Sequence, residues 1–323
     1  MVNDKLMKKI TIFALMLTAA LPMGLGSCSK QDKKDETVKV YGRYVPERKD
    51  DFAWENEYAA FRLYGPALAA ENPSNGVDLW LKASEELVVD SFYYREHVLG
   101  KPYHINYGKG LDCYKVGHTA GCGGLVVLSG EEHKLNIGGP YSTWRIDEQT
   151  PEKFVFTLHY DSLRVDTTIM QADVTITAEA GKLFNRADVV LTAPEGAVLP
   201  KLWVGGGIYM HDSTGAGFVH IEEGKELIAY AEDALSDKTA AQMNYDYNGS
   251  TDQGRSYISV ITPGAKVQET ITAGNDRTYV NAREYTPGDT LTYYFGACWS
   301  KYEGAQSFPT DEDWFRAVEN EKW

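Results

Sequence analysis

Two stretches, KFVFTLHY at residues 153–160 and DVTITAEA at residues 173–180, decide the fold class of this chain. Each alternates apolar and polar side chains with a period of two, as a β-strand with one buried face requires. The residues that share the apolar face are Phe154, Phe156, Leu158 and Tyr160 in the first stretch, and Val174, Ile176 and Ala178 in the second. Both stretches therefore predict half-buried strands.

Similar short segments, β-branched or aromatic, follow along the chain. They are ADVVLTA, KLWVGGGIYM, GFVHIEE, KELIAYAE, SYISVIT, VQETITA, RTYVNA and TLTYYFGACW. Turn signals such as Pro263-Gly264 and Pro287-Gly288 separate them, and this spacing favours antiparallel sheets over a βαβ series. We predict a mostly β protein, a single large antiparallel β-sandwich domain over residues 38–323, with few short helices.

Helical patterns are few. Apolar residues between Val77 and Val89 have the spacing of one amphipathic helix, and Thr310 followed by Asp313 resembles the start of a short terminal helix. The stretch from Tyr58 to Tyr64 alternates, so we predict a strand there.

The N-terminus predicts a lipoprotein signal peptide over residues 1–27. Three lysines precede an uncharged apolar run, Ile10–Gly26, which is too short for a stable membrane span and ends in Leu-Gly-Ser-Cys. Cys28 would carry the lipid, and residues 28–37 would form a polar, flexible tether. We expect a lipid-anchored protein of the cell envelope, in the periplasm or on the outer-membrane surface. An ordinary signal peptide with a chance cysteine is the less favoured alternative.

Composition excludes one class of partner. The chain has 46 acidic and 32 basic residues, a net charge of −14, so binding to a nucleic-acid backbone is not expected. An acidic ligand is still compatible with this charge, because a local basic pocket can lie in an acidic protein. Cys113, Cys122 and Cys298 would allow one disulfide in an oxidising compartment. A zinc site from Cys113, His118 and Cys122 is a weaker alternative, because it lacks a CxxC spacing.

Three stretches concentrate functional side chains. Residues 41–68 hold Arg43, Arg48, Glu55, Asn56, Glu57 and Arg62; residues 101–124 hold His104, Tyr107, Asp112, Tyr114, Lys115 and His118 among six glycines; residues 202–212 end with Tyr209, His211 and Asp212. Signatures of serine hydrolases, HExxH metalloproteases and phosphate-binding loops are missing from the sequence. Two histidines in one glycine-rich polar loop are the most informative feature, because imidazole exchanges protons near neutral pH.

These stretches carry a family resemblance. YGRYVPERKDDFAWENEYAAFRLYGPAL, YHINYGKGLDCYKVGHTAGCGG, GGGIYMH and the ACWSK…DEDWF ending together resemble a Bacteroidetes family of secreted lipoproteins, formerly of unknown function, over residues 38–320. The resemblance implies a member of a polysaccharide-utilisation system, related to dehydratases of ulvan-type oligosaccharides. The strand pattern is also similar to the galactose-mutarotase-like sandwich of many polysaccharide lyases and epimerases, a fold that does not decide the chemistry.

The implied reaction is a β-elimination of water from a terminal uronic acid. It needs a base, an acid and cations or donors for the charge that develops. We assign catalytic roles to His104, His118, Tyr107 and Arg43, and substrate binding to Asn56, Lys115, Tyr209, His211 and Trp299. His211 is also a candidate metal ligand, and the sequence leaves a divalent metal cofactor open. Alternatives are a non-catalytic glycan-binding lipoprotein and a sugar epimerase or mutarotase. The expected partners are an acidic oligosaccharide and, through Cys28, a lipid membrane.

Overall fold

The computed structural model describes residues 37–211, 218–222, 224, 226–234, 252–274 and 276–322. The predicted signal peptide, Cys28 and Asp212 lie outside these ranges. Within them the chain forms three antiparallel sheets and two α-helices, which confirms the prediction of a mostly β, antiparallel protein with few helices. None of the described helices is long and apolar enough to cross a membrane.

The first sheet has five strands in chain order. They are β1 (Tyr41–Val45), β2 (Asp51–Glu55), β3 (Ala59–Leu63), β4 (Val77–Lys82) and β5 (Gly110–Asp112). A second five-stranded sheet has the order β16 (Val267–Ala273), β17 (Asp276–Tyr285), β12 (Leu202–Tyr209), β6 (Cys122–Ser129) and β7 (Lys134–Asn136).

The largest sheet has eight strands. Their order is β13 (Phe218–Glu222), β14 (Leu227–Asp233), β15 (Arg255–Ile261), β18 (Thr290–Trp299), β11 (Phe184–Thr192), β10 (Thr168–Glu179), β9 (Lys153–Val165) and β8 (Thr143–Gln149). KFVFTLHY forms the first part of β9, and DVTITAEA overlaps the end of β10. The predicted apolar faces of both stretches are buried. The eight further segments correspond to β11–β18.

Both five-stranded sheets pack against the same eight-stranded sheet. Phe52 of β2 stacks on Phe156 of β9 at a ring distance of 4.4 Å, and Phe61 of β3 meets Phe295 of β18 edge-on at 5.6 Å. Strands β6 and β12 contact β15 and β18. A parallel bridge between Val77 and Gly121 joins the two smaller sheets side by side. The result is a two-layer sandwich with an aromatic and aliphatic core.

The helix predicted over Val77–Val89 is wrong. Residues 77–82 form β4, and α1 (Val89–His97) begins only at the end of that span. Every residue of β4 is buried, because α1 covers the outer face of the first sheet. Trp80 faces this helix while Leu79 and Leu81 face the core, and the apolar spacing therefore imitated a helix.

Two other local predictions are confirmed. The predicted strand at Tyr58–Tyr64 contains β3. Helix α2 (Asp311–Asn320) is capped by Thr310, whose side chain accepts a hydrogen bond from the Asp313 N–H at 3.2 Å. Helix α1 receives no side-chain cap from Val88, the residue that precedes it. Instead the buried Glu55 carboxylate accepts the N–H groups of Val88 and Val89 at 2.8 and 2.9 Å, and it also pairs with the buried Lys82 at 2.9 Å.

Candidate functional site

The site lies where several strand ends meet at one end of the sandwich. Strands β5, β12, β14 and β18 end there, and β15 begins there. The Tyr114 hydroxyl donates to the Tyr209 carbonyl at 2.7 Å, and the indole N–H of Trp299 donates to the Gln253 carbonyl at 2.5 Å. These contacts join segments that are far apart in the sequence. We call residues 103–121, 209–211, 230–233, 253–256 and 299 the edge site.

His104 is a partly exposed histidine of the edge site. Its Nδ1 lies 2.9 Å from the backbone carbonyl oxygen of Asp112. A carbonyl can only accept, so Nδ1 carries the proton and the neutral ring keeps its lone pair on Nε2. No described residue hydrogen-bonds to Nε2, and the side chain is 34 % exposed. This tautomer can remove a proton from a bound molecule.

A buried arginine fixes the residue that orients His104. Arg62 of β3 donates from Nη2 to the carboxylates of Asp78 and Asp112, the latter at 2.9 Å, and from Nη1 to the Tyr103 hydroxyl at 3.0 Å. Asp112 therefore uses its carboxylate to bind Arg62 and its carbonyl to hold His104. The Tyr103 ring contacts the His104 ring at 4.7 Å. Arg62, Asp112 and Tyr103 together set the position of the imidazole.

Burial dominates the electrostatics beneath His104. Desolvation and the neighbouring Asp112 charge raise the pKa of Asp78 to about 7, against the opposing effect of Arg62. Burial also raises the pKa of Asp51, whose carboxylate lies 3.9 Å from the Arg62 Nε. The charges of Asp78 and Asp112 raise the pKa of Arg62, so its guanidinium stays charged.

His211 has a different environment. Its Nδ1 lies 2.7 Å from Glu232 Oε1, and its Nε2 lies 2.5 Å from the carbonyl oxygen of Lys115. The Nε2 must be the donor to the carbonyl. Glu232 also accepts the His211 backbone N–H at 3.1 Å and the Tyr230 hydroxyl at 2.8 Å, so the pair lies at salt-bridge distance with two further donors on the Glu232 oxygens. Both side chains are almost fully buried, at 2 and 3 % exposure.

The two histidines are attached to the same short segment. His104 bonds to Asp112 and His211 bonds to Lys115, three residues later. Three residues span no more than about 11 Å even when fully extended. Lys115 and His118 are both exposed on this segment and its continuation. The edge site therefore contains seven of the predicted residues: His104, Tyr107, Lys115, His118, Tyr209, His211 and the buried Trp299.

Tyr107, also in the edge site, has two cations close to its ring. The Arg95 guanidinium is 5.0 Å from its ring centroid and the Lys101 ammonium is 5.7 Å away. Burial lowers the pKa of Arg95, and its Nε and Nη2 are buried without a hydrogen-bond partner among the described residues. Asn106 connects this loop to Gln253 at 3.5 Å.

Three predicted residues have contacts elsewhere or are buried. Arg43 pairs with Glu47 at 2.7 Å and Asp90 at 2.6 Å and lies over Tyr93, so its described contacts include neither His104 nor His118. Asn56 is buried and closes the β2–β3 turn by accepting the N–H groups of residues 58 and 59. Trp299 is 2 % exposed, so its ring is not open for stacking on a sugar.

Metal binding gains no support from the described side chains. They contain no group of three or more His, Cys, Asp and Glu residues arranged to hold a metal ion. Both His211 nitrogens are occupied by Glu232 and Lys115. Cys113, Cys122 and Cys298 are buried free thiols, so the described cysteines form no disulfide. Burial raises the pKa of all three well above the ordinary range.

Asp78 and Glu232 are the site residues that sequence reasoning missed. Asp78 lies within the span that resembled a helix, and Glu232 lies in a predicted strand, KELIAYAE, without a motif around it. The one available signal for Asp78 was its position between Val77 and Leu79 in an apolar run. An acidic residue in such a run is usually paired when it is buried.

Comparison with known proteins identifies the family of this chain. This is a mostly β protein with a histidine-containing edge site, and the chain belongs to the family described as Domain of unknown function (DUF4861), whose model matches residues 26–322. It is 26 % identical to "Uncharacterized protein P7" of Formosa agariphila over 293 residues, which covers 88 % of this chain and 67 % of that protein.

Solved structures resemble the chain more distantly. A GH36 alpha-galactosidase from Geobacillus stearothermophilus matches with a TM-score of 0.39 and 10 % identity, covering 80 % of this chain and 41 % of that one. A TPR-domain containing protein from Parabacteroides distasonis matches with a TM-score of 0.38 and 12 % identity, covering 77 % and 47 %. The chain thus spans less than half the length of either protein.

Proposed function

We propose that this protein is a carbohydrate-active enzyme of a polysaccharide-utilisation system that eliminates water from a terminal uronic acid of an oligosaccharide. The resemblance of the sequence to relatives of ulvan-type oligosaccharide dehydratases points to this reaction. The single observation that carries the proposal is the hydrogen bond from His104 Nδ1 to the Asp112 carbonyl on a partly exposed side chain, which leaves Nε2 as the basic nitrogen of the neutral ring. A base in this state is what abstraction of a weakly acidic carbon-bound proton requires.

The proposed steps balance within the edge site. His104 Nε2 takes the C5 proton of the uronic acid, and the electron pair of the C5–H bond forms the C4=C5 double bond. The C4–O bond breaks, and the leaving oxygen takes its electron pair and a proton from an acid, which gives water. We assign the acid role to the exposed His118, with Tyr107 as the alternative. The His104 proton then returns to solvent and the acid is protonated again.

Positive charge must offset the charge that develops on the substrate carboxylate during proton removal. Lys115 is exposed and its own carbonyl binds His211, three residues after the carbonyl that binds His104. The Arg95 and Lys101 side chains lie close to the Tyr107 ring. We assign binding of the carboxylate to Lys115. Tyr209 and His211 hold the segment that carries Lys115, through the contacts of Tyr114 and of the Lys115 carbonyl.

The test is an assay of purified soluble protein against a set of uronic-acid oligosaccharides. The expected product is lighter by one water and absorbs in the ultraviolet, because its double bond is conjugated with the carboxylate. His104→Ala should lower the rate at least about 100-fold, the low end for loss of a general base.

His159→Ala is the matched control. His159 is also hydrogen-bonded through Nδ1, to Asp173 at 2.9 Å, and its side chain is 33 % exposed, but it lies on the eight-stranded sheet away from the edge site. It should keep the wild-type rate. Full activity in His104→Ala would refute the assignment, and binding without turnover by the wild type would identify a glycan-binding protein instead.

We also propose that the protein is attached to a membrane of the cell envelope through a lipid on Cys28. The apolar run and the Leu-Gly-Ser-Cys sequence support this location. Cys28→Ala should move the protein from the detergent phase to the aqueous phase in a phase-partition experiment on cells that express it. Unchanged partitioning, or a mature N-terminus other than residue 28 by mass spectrometry, would contradict the anchor.

A further inference from the structure

A groove on the outer face of the eight-stranded sheet has a charge opposite to that of the whole protein. It encloses a cavity of about 280 Å³, near the lower limit of ordinary ligand pockets. Four cations and two carboxylates line it in a chain of net charge −14. The charged residues of this outer groove are Lys153, Lys182, Arg186, Lys322, Glu179 and Glu321. Lys153 and Arg186 also pair with carboxylates outside the lining, Glu148 at 3.0 Å and Asp188 at 2.9 Å, so the lining itself holds two more basic than acidic groups on an acidic protein.

The register of the sheet explains how the groove is built. Thr177 of β10, Arg186 of β11 and Tyr294 of β18 are direct cross-strand neighbours and so share one face. Phe184 lies two residues before Arg186 on the same face and covers the position of Gly296, which has no side chain. The floor of the groove therefore combines a hydroxyl, a guanidinium and aromatic rings.

The C-terminal segment supplies the opposite wall. The Lys182 ammonium donates to the Lys322 carbonyl at 2.8 Å, which holds residues 321–322 beside the sheet. Arg186 pairs with Asp188 at 2.9 Å but stays 52 % exposed, so its guanidinium can bind a further anion. A second concavity, which includes Lys39, shares Lys153 and Glu179 with the first. The outer groove is therefore elongated.

We infer that the outer groove binds an anionic oligosaccharide as a site separate from the edge site. Lysine and arginine side chains would bind carboxylate or sulfate groups, Glu179 and Glu321 would accept sugar hydroxyls, and the Tyr294 ring would lie against a sugar face. An elongated groove suits a chain of several sugars better than a single small anion. This site would hold the polymer whether or not the edge site acts on it.

The experiment is calorimetric titration with a hexamer of galacturonic acid, with a neutral glucose hexamer as the comparison ligand. The double variant Lys182→Gln, Arg186→Gln removes two groove cations. We expect the wild type to bind the acidic hexamer in a salt-dependent manner. The variant should lose one binding event or weaken it at least about tenfold, since each 1.4 kcal/mol lost is a factor of ten. The neutral hexamer should bind neither protein measurably.

Arg145→Gln is the matched control. Arg145 also lies on the outer face of the same sheet and pairs with an aspartate two residues later, Asp147 at 2.6 Å, but it does not line the outer groove. It should bind the acidic hexamer as the wild type does. Equal binding by wild type and the double variant would overturn the inference, as would equal binding of the neutral hexamer.

Two further measurements separate this inference from others. Turnover of a short uronic-acid oligosaccharide should be unchanged in the double variant, because no groove residue belongs to the edge site. Turnover without groove binding would refute the outer groove alone, and groove binding without turnover would refute the proposed function alone. Binding of the wild type to phosphatidylglycerol vesicles but not to the acidic hexamer would assign the groove to a membrane surface and overturn the inference.

Discussion

The surroundings of His104 and His211 differ although both histidines are attached to the segment between Asp112 and Lys115. His104 uses one ring nitrogen, the other has no hydrogen-bond partner among the described residues, and the side chain is one-third exposed. His211 uses both nitrogens and is buried with Glu232. The difference teaches that hydrogen-bond occupancy, and not position in a loop or at a strand end, decides which imidazole is available for chemistry.

The contrast between His104 and His211 predicts different effects of their removal on activity and on stability. Removing His104 should take away a chemical group while leaving the fold in place. Removing His211 should leave the Glu232 carboxylate buried without its cation, and an unpaired buried charge is costly. Measurements of stability and of activity on matched variants therefore test the comparison directly.

The largest effect is expected on stability at the His211–Glu232 pair. His211→Ala and Glu232→Ala should each lower the free energy of unfolding by about 3–5 kcal/mol, because each leaves one buried charged partner without its counter-ion. His104→Ala should change it by less than about 1 kcal/mol, as for an ordinary surface position. Urea unfolding of the three variants measures this, and a His211→Ala cost no larger than that of His104→Ala would contradict the comparison.

A pH-dependent effect on the free energy of unfolding is expected at Asp78, beneath His104. The folded-state pKa of Asp78, about 7, is raised above the unfolded value of about 3.9, so the folded state binds this proton more tightly. The stabilisation is fully present below about pH 4 and is lost as pH rises through 7, with a slope no steeper than about 1.4 kcal/mol per pH unit. Asp78→Asn should flatten this part of the stability profile. An unchanged profile in the variant would show that other groups cause the slope.

The smallest effect is expected at Trp299, which contacts Gln253 near both histidine environments. Trp299→Phe removes the hydrogen bond to the Gln253 carbonyl and should cost about 1 kcal/mol of unfolding free energy. Binding of uronic-acid oligosaccharides should be unchanged, because the ring is buried. Weaker glycan binding at unchanged stability would restore the stacking role that the sequence suggested.

Strands were predictable from the sequence where the side-chain alternation is a local property. β9 and β10 each have one face on the core and one on solvent, so their patterns were complete within the chain itself. β4 is buried on both faces by α1 and the core, and its pattern therefore lost the period of two. Its prediction would have required knowing which helix covers it.

The candidate site was predictable only in part for a related reason. The glycine-rich stretch indicated His104, Lys115 and His118, because unusual local composition is visible in the sequence. Glu232 is 21 residues from His211, and Arg62 is 50 residues from Asp112. Such partners are brought together by sheet register, which the sequence does not state. Trp299 and Asn56 are buried, and the sequence around them does not indicate this burial.

Glu55 links the onset of a helix to the assembly of a sheet. Because the first two amides at the start of α1 are bonded to a carboxylate of β2, the helix lacks its cap until the strand is in place. Hydrogen–deuterium exchange at Val88 and Val89 therefore reports on the position of β2, a strand far from them in the sequence. These two amides should exchange only when the whole first sheet opens. Their exchange rates therefore report how cooperatively that sheet opens.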